Sequence, residues 1–263
     1  MNHPQQPREY DAVLGGNSPS PEGAAVLGGI EGVKLRLQNP DAKVRIAALE
    51  QAVNYGEQGL DLVIVCLNDE SWNVEYAAYS LLKSRTEPTI KQILTEFDAP
   101  LKKYSTDYTS LRDCLALGKW KEADEETARV MLTVAKRDKE AWLDAEHIQN
   151  FSCKDIHIID QLWVKYSNGH FGFSVQKRIY KMLGGTTKYN YKIWCKFGDY
   201  VGWRKGEKWL CYSDIEFDIR SSEGNLPLVG AVIGERIPPG WGEFGVPLWG
   251  LSPLLLRLVS CNI

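Results

Sequence analysis

Between about residues 30 and 104 the apolar positions recur at helical spacing, and the pattern repeats. DAKVRIAALEQAV starts at Asp41, WNVEYAAYSLL follows at Trp72, and Val44/Val74, Ala47/Ala77 and Ala48/Ala78 fall in step at an offset of 30 residues. Small alanines at that interval let paired helices approach closely, as in HEAT-like repeats, so a short helical stack is expected over 29–106. Pro88 and Pro100 punctuate it, and TEFDAPLKKYSTDYTS (95–110) reads as the way out.

The polar–apolar pattern beyond is helical again. Leu111, Leu115, Trp120, Ala123, Ala128 and Leu132 mark a helical hairpin that Gly118 divides, with Glu122, Glu125 and Glu126 in the early turns of its second arm. Ser152 caps a further helix through Asp155, with Ile156, Ile159, Leu162, Trp163 and Tyr166 as its inward stripe and Asn168–Gly169 as its stop. Ser174 is expected to cap the next, with Val175, Ile179 and Leu183 inward and Gly184–Gly185 at its end. VGWRKGEKWLCY (201–212) holds two β-prone runs about a Lys-Gly turn, which fits a small hairpin or a loop. The fold class is therefore all-α: a tail over 1–28, the repeat bundle over 29–106, an all-helical core over 107–235, and a loop and tail over 236–263 packing on the core. GLSPLLLRLVSCNI either packs back as an amphipathic helix or contacts lipid or a protein partner.

Composition narrows the function. A chain of 263 residues with 44% apolar residues can bury a substantial core, and a net charge of -3 argues against general nucleic-acid binding. The opening MNHPQQPREYD lacks the cationic and apolar regions of a secretory signal, so a cytoplasmic chain is expected. Six cysteines, at 66, 114, 153, 195, 211 and 261, are scattered without zinc spacing and read as reduced thiols. Cys153 and His157, four apart, could share a helix face as metal ligands, but two ligands are too few for zinc and structural roles fit better. His3, His147 and His170 have no partners at metal spacing, and Asp144 and Glu146 beside His147 read as a solvated helix start. The chain shows no P-loop, GxSxG, HExxH or GxGxxG, so no enzymatic activity is expected.

Aromatic density is the unusual feature, with nine Trp and twelve Tyr. Trp163, Tyr166 and Phe173 suit a core. Those of 194–217 lie in a Gly-broken stretch among Lys192, Lys196, Arg204, Lys205 and Lys208, a mixture that suits a flat apolar ligand with carboxylates at its edge or single-stranded nucleic acid; the acidic balance favours the former.

LRDCLALGKWKEADEETARVML, WLDAEHIQNFSCKDIHIIDQLWVKYSNGHFGFSVQKRIY and FGDYVGWRKGEKWLCYSDIEF together resemble the core of the genomes-uncoupled porphyrin-binding family over about 108–227. The preceding helical region resembles the extra N-terminal domain of its cyanobacterial members. The resemblance implies a cupped-hand helical core that binds protoporphyrin IX or Mg-protoporphyrin IX without chemistry of its own. It also implies activation of magnesium chelatase through the large porphyrin-handling subunit, and peripheral association with the thylakoid membrane. A porphyrin ring asks for an aromatic and aliphatic floor, for which Trp194, Val201, Trp203, Trp209, Phe217 and Leu226 are the candidates. Its propionates ask for cations at the rim: Arg129, Arg137, Arg204 and Arg236. ERIPPGWGEFGVPLWG (235–250) is either a flap over such a site or a connector. The competing reading is a protein-interaction scaffold in which both helical regions serve partners and no small ligand binds.

Overall fold

The computed structural model describes residues 28–102, 106–188, 190–228 and 251–263, and its contacts divide the chain into two compact units between Asp98 and Ala99. Arg236 and the loop 235–250 lie outside the described residues. Helices carry both units, so the chain is all-α; among the described residues the strands are one two-residue pair.

The first unit holds α1 (Gly29–Leu37), α2 (Ala42–Ala52), α3 (Gly56–Val65), α4 (Trp72–Lys83) and most of α5 (Pro88–Lys102). The repeating alanines do what their size allows: α2 and α4 pack together with Ala48 and Ala78 both fully buried. Asp41 caps α2 by accepting the Lys43 N–H at 2.9 Å. The buried Arg45 guanidinium donates to both Asp69 carboxylate oxygens at 2.8 and 3.0 Å and to the Asn39 carbonyl at 2.7 Å, so its charge is paired on each side. Gly59 is required where α3 leaves α2, since a Cβ there would sit 1.8 Å from the Ala52 carbonyl oxygen. Pro88 opens α5 as expected of a first-turn proline, but Pro100 corrects the expectation of a break: it lies inside the helix. A proline already holds a helical φ, and close to the end of a helix its missing N–H bond and the crowding of the carbonyl four residues back fall on the last turn; α5 runs on for two more residues.

The second unit contains α6 (Thr109–Ala116), α7 (Trp120–Val134), α8 (Ala145–Gln149), α9 (Cys153–Tyr166), α10 (Phe173–Met182), α11 (Tyr191–Val201), the hairpin β1 (Arg204–Lys205) and β2 (Lys208–Trp209), and α12 (Leu251–Ser260). Gly118, at φ 66°, turns α6 into α7. The Ser152 hydroxyl accepts the Asp155 N–H at 3.3 Å at the start of α9, and Asn168 and Gly169, at φ 52° and 80°, end it. Asp144 caps α8 through the His147 N–H at 2.9 Å. Ser174 is not the cap of α10. The helix starts at Phe173 after Gly172, and the Ser174 N–H donates instead to the buried carboxylate of Asp160 on α9, at 2.8 Å. Burial pushes the Asp160 carboxyl up, against the pull of that bond. The centre of the unit is aromatic: Trp120, Trp163 and Phe171 meet with centroids 5.4 to 6.2 Å apart, and Trp163 donates its indole N–H to the Thr127 hydroxyl at 2.9 Å.

Of the two readings of the C-terminal segment, packing is the one observed. In α12, Leu254, Leu255 and Leu258 are buried, and the helix lies against α8, α9 and α10. Among the described residues no helix is long and apolar enough to cross a membrane. The reading of all six cysteines as free thiols is corrected: Cys153 and Cys261 form a disulfide across 108 residues of chain, leaving Cys66, Cys114, Cys195 and Cys211 free.

Candidate functional site

The aromatic–cationic stretch predicted to hold a ligand is built on α11. Its apolar period buries Trp194, Phe197, Gly198 and Val201 on one side. The other side carries Tyr191, Lys192, Lys196 and Tyr200 to the surface. The turn of the β-hairpin passes through Gly206 and Glu207, both at positive φ, and folds Trp209 back onto α11. Trp209 stacks on Trp194 with centroids 5.7 Å apart, and Trp194 in turn stacks on Phe197 at 5.2 Å and meets Trp203 edge-on at 6.3 Å.

A second support comes from the run 221–228. Trp203 donates its indole N–H to the Asn225 carbonyl at 2.7 Å, and the Asn225 amide donates to the Val201 carbonyl at 2.8 Å. Gln176 on α10 donates to the carbonyls of Gly224 and Pro227, at 3.0 and 2.8 Å. The buried Asp124 carboxylate on α7 accepts the Leu228 N–H at 2.6 Å and the Tyr212 hydroxyl at 3.0 Å. Burial first, then the Asp124 charge, pushes the Tyr212 phenol up. Tyr212 holds the Phe217 ring at 5.2 Å.

These contacts sort the six floor candidates. Trp194, Val201, Trp203 and Leu226 are 2% exposed or less, so they are the packed backing of the face and present almost no surface to a ligand. Trp209 and Phe217 are half-buried and offer ring surface.

The rim candidates are not gathered round one edge. Arg204 makes two 2.9 Å bonds to Asp199, the first cause of its raised basicity, and sits on the same hairpin as Trp209. Arg129 is held by Glu126 at 2.6 and 2.8 Å on α7. Arg137 lies 3.4 Å from Glu140 and over the Trp142 ring. Each of these three arginines thus has a carboxylate of its own, which a ligand propionate would have to replace.

Tyr191 and Tyr200, 53% and 43% exposed, were not among the candidates. Their signal was available: both lie opposite the apolar stripe of α11, which places them outward among the lysines. The neighbouring Cys195 side chain raises the Tyr191 phenol. The Cys153–His157 pairing does not occur, because Cys153 is in the disulfide and His157 bonds Gln161 at 2.8 Å. Among the described residues no group of three or more His, Cys, Asp or Glu could hold a metal ion.

The model of a family described as GUN4-like matches residues 102–242, more than half of the chain. The chain belongs to the GUN4-like family. The matched GUN4-like segment takes in α6 to α11, the hairpin and the 221–228 run, and stops short of α12. A Ycf53-like protein of Synechocystis sp. (strain ATCC 27184 / PCC 6803 / Kazusa) is 31% identical over 148 residues, covering 53% of this chain and 60% of that protein. A protein named "Tetrapyrrole-binding protein, chloroplastic" of Arabidopsis thaliana is 28% identical over 144 residues, covering 51% of this chain and 52% of its own length. The chain thus spans about half to 60% of these curated relatives. Among solved structures, GUN4 from Chlamydomonas reinhardtii is 28% identical with a TM-score of 0.41, covering 59% of this chain and 88% of its own. Ligand-free GUN4 of Arabidopsis thaliana is 23% identical with a TM-score of 0.42, covering 58% and 94%.

Proposed function

We propose that this chain is a non-enzymatic tetrapyrrole-binding regulator, whose ligands are protoporphyrin IX and Mg-protoporphyrin IX and whose target is the large porphyrin-handling subunit of magnesium chelatase. Membership of the GUN4-like family supports the ligand class, together with the name of the Arabidopsis relative. The observation that carries the reading in this molecule is Trp209: a half-buried indole stacked on a rigid aromatic backing, beside Arg204, on a hairpin that also bears Lys205 and Lys208. A macrocycle gains by covering such a ring, and its propionates gain from cations at the edge. The hairpin supplies both within a few residues. The same reading places the chain in the cytoplasm, touching the thylakoid membrane only peripherally.

A titration of the full chain with deuteroporphyrin, followed by tryptophan fluorescence and porphyrin absorbance, tests it. Saturable one-to-one quenching is expected; a linear, unsaturated response would overturn the ligand assignment and leave the scaffold reading in its place.

A further inference from the structure

The GUN4-like segment ends before α12, yet α12 is fastened to that segment at several points. Arg257 donates to the Phe151 carbonyl at 2.8 Å. Lys177 on α10 donates to the Leu258 carbonyl at 3.3 Å and also to the Ile263 carbonyl. Leu254, Leu255 and Leu258 supply the buried apolar contact. The covalent tie is Cys153–Cys261, which joins the first residue of α9 to the residue just after α12, and both cysteines are half-buried and not sealed in the core.

From this placement we propose that Cys153–Cys261 is a thiol–disulfide exchange site, read by dithiol reductants, that latches α12 to the core when oxidised and frees it for reversible docking when reduced.

Two features favour a switch over a structural cross-link. Among the described residues the non-covalent dock rests on three buried leucines and a few hydrogen bonds, so removing one covalent tie changes its balance. The two sulfurs are also unequal. Cys153 is the first residue of α9, at the end of the helix where the dipole favours an anion, which makes its thiolate the leaving group of choice. Exchange therefore has a direction. The thiolate of a dithiol attacks the Cys261 sulfur, and the protein disulfide breaks with its electron pair leaving on Cys153. The second thiol of the reductant then displaces Cys261 from the mixed disulfide. Two electrons and two protons pass from the dithiol, which becomes a disulfide, to the protein, which becomes a dithiol. In a reducing compartment a disulfide of this kind is expected to be transient and regulatory.

The test uses the full folded chain, poised with dithiothreitol or with glutathione disulfide, then alkylated under denaturing conditions and weighed. Oxidation is expected to protect two cysteines and to link the peptides bearing Cys153 and Cys261, and dithiothreitol to reverse this without unfolding. In parallel, backbone hydrogen exchange over 251–263 should slow about tenfold or more on oxidation. Cys153→Ser and Cys261→Ser should show the fast rate in both buffers. Failure of the pair to link, a link that resists reduction in the folded protein, or equal exchange in both redox states would each overturn the proposal. The comparison of redox states in the unsubstituted chain stands even if a variant does not fold. It is also independent of porphyrin binding.

Discussion

Trp194 and Trp209 lie with ring centroids 5.7 Å apart and planes 23° from parallel, and the approach is possible because residue 198 between them is a glycine. A Cβ at Gly198 would stand 2.5 Å from two atoms of the Trp209 ring. Gly198→Ala should therefore push Trp209 off Trp194, at a cost of about 1–3 kcal/mol in denaturant unfolding. It should also weaken deuteroporphyrin binding. Unchanged stability together with unchanged affinity would show that the stack matters to neither.

The Asp124 carboxylate joins α7 to two points of the chain far away in sequence, Leu228 and Tyr212. Asp124→Asn removes the charge that both donors approach and leaves an amide N–H in a buried place, so a loss of about 2–3 kcal/mol is expected. Tyr212→Phe, which leaves the carboxylate its backbone partner, should lose about 1 kcal/mol. Urea unfolding of both variants checks the order, and a larger loss for Tyr212→Phe would contradict the role given to Asp124.

What could be read from the sequence was local. Ser152 and Asn168–Gly169 bound α9 as expected because a cap is settled by residues three or four apart. The apolar period of α11 likewise fixes which of its aromatics turn inward. What could not be read was tertiary. The acceptor for the Ser174 N–H is on another helix, 14 residues earlier, and Cys153 meets Cys261 across 108 residues with no spacing signal at all. Composition counts large apolar side chains such as Trp203 and Leu226 without saying which side they face; bonds between residues 22 and more apart, Trp203 to Asn225 and Gln176 to Gly224 and Pro227 among them, draw that run inward.

Asp160 gives a pH dependence with a definite sign. Burial raises its folded-state value above the ordinary 3.8, so the fold favours the protonated form. That contribution is fully present below the unfolded value and is lost as the pH rises through the folded one. Asp160→Asn keeps an acceptor for the Ser174 N–H and does not titrate. Melting curves of the two proteins from acid to neutral pH should therefore show the native chain gaining stability relative to the variant as the pH falls. A gap that moves the other way would mean that the hydrogen bond from Ser174 outweighs burial.

Arg204 is the one described rim candidate on the same hairpin as Trp209. It is already paired with Asp199, so a propionate gains only the difference between two carboxylates, less the repulsion from Asp199 if that side chain stays. Arg204→Glu reverses the charge and should weaken deuteroporphyrin binding about tenfold or more. Asp199→Asn frees the guanidinium and should tighten it. Two variants with unaltered affinity would remove Arg204 from the site and direct attention to the lysines of α11.

The packing of α12 yields the strongest stability prediction. Leu258 is fully buried and Leu255 nearly so, both against α8, α9 and α10. Leu258→Asp would bury a charge in an apolar contact at a cost of several kcal/mol and leave only Leu254 and Leu255 to offset it by docking. The cheapest escape is for α12 to leave the core. With Cys153–Cys261 intact that escape is restricted, so the oxidised Leu258→Asp chain should lose global stability, while the reduced one should keep its circular dichroism and expose 251–263 to limited proteolysis. If the substituted chain kept native stability and protease resistance in both redox states, α12 would not be held by its leucines, and its apolar face would have to serve another surface, such as lipid.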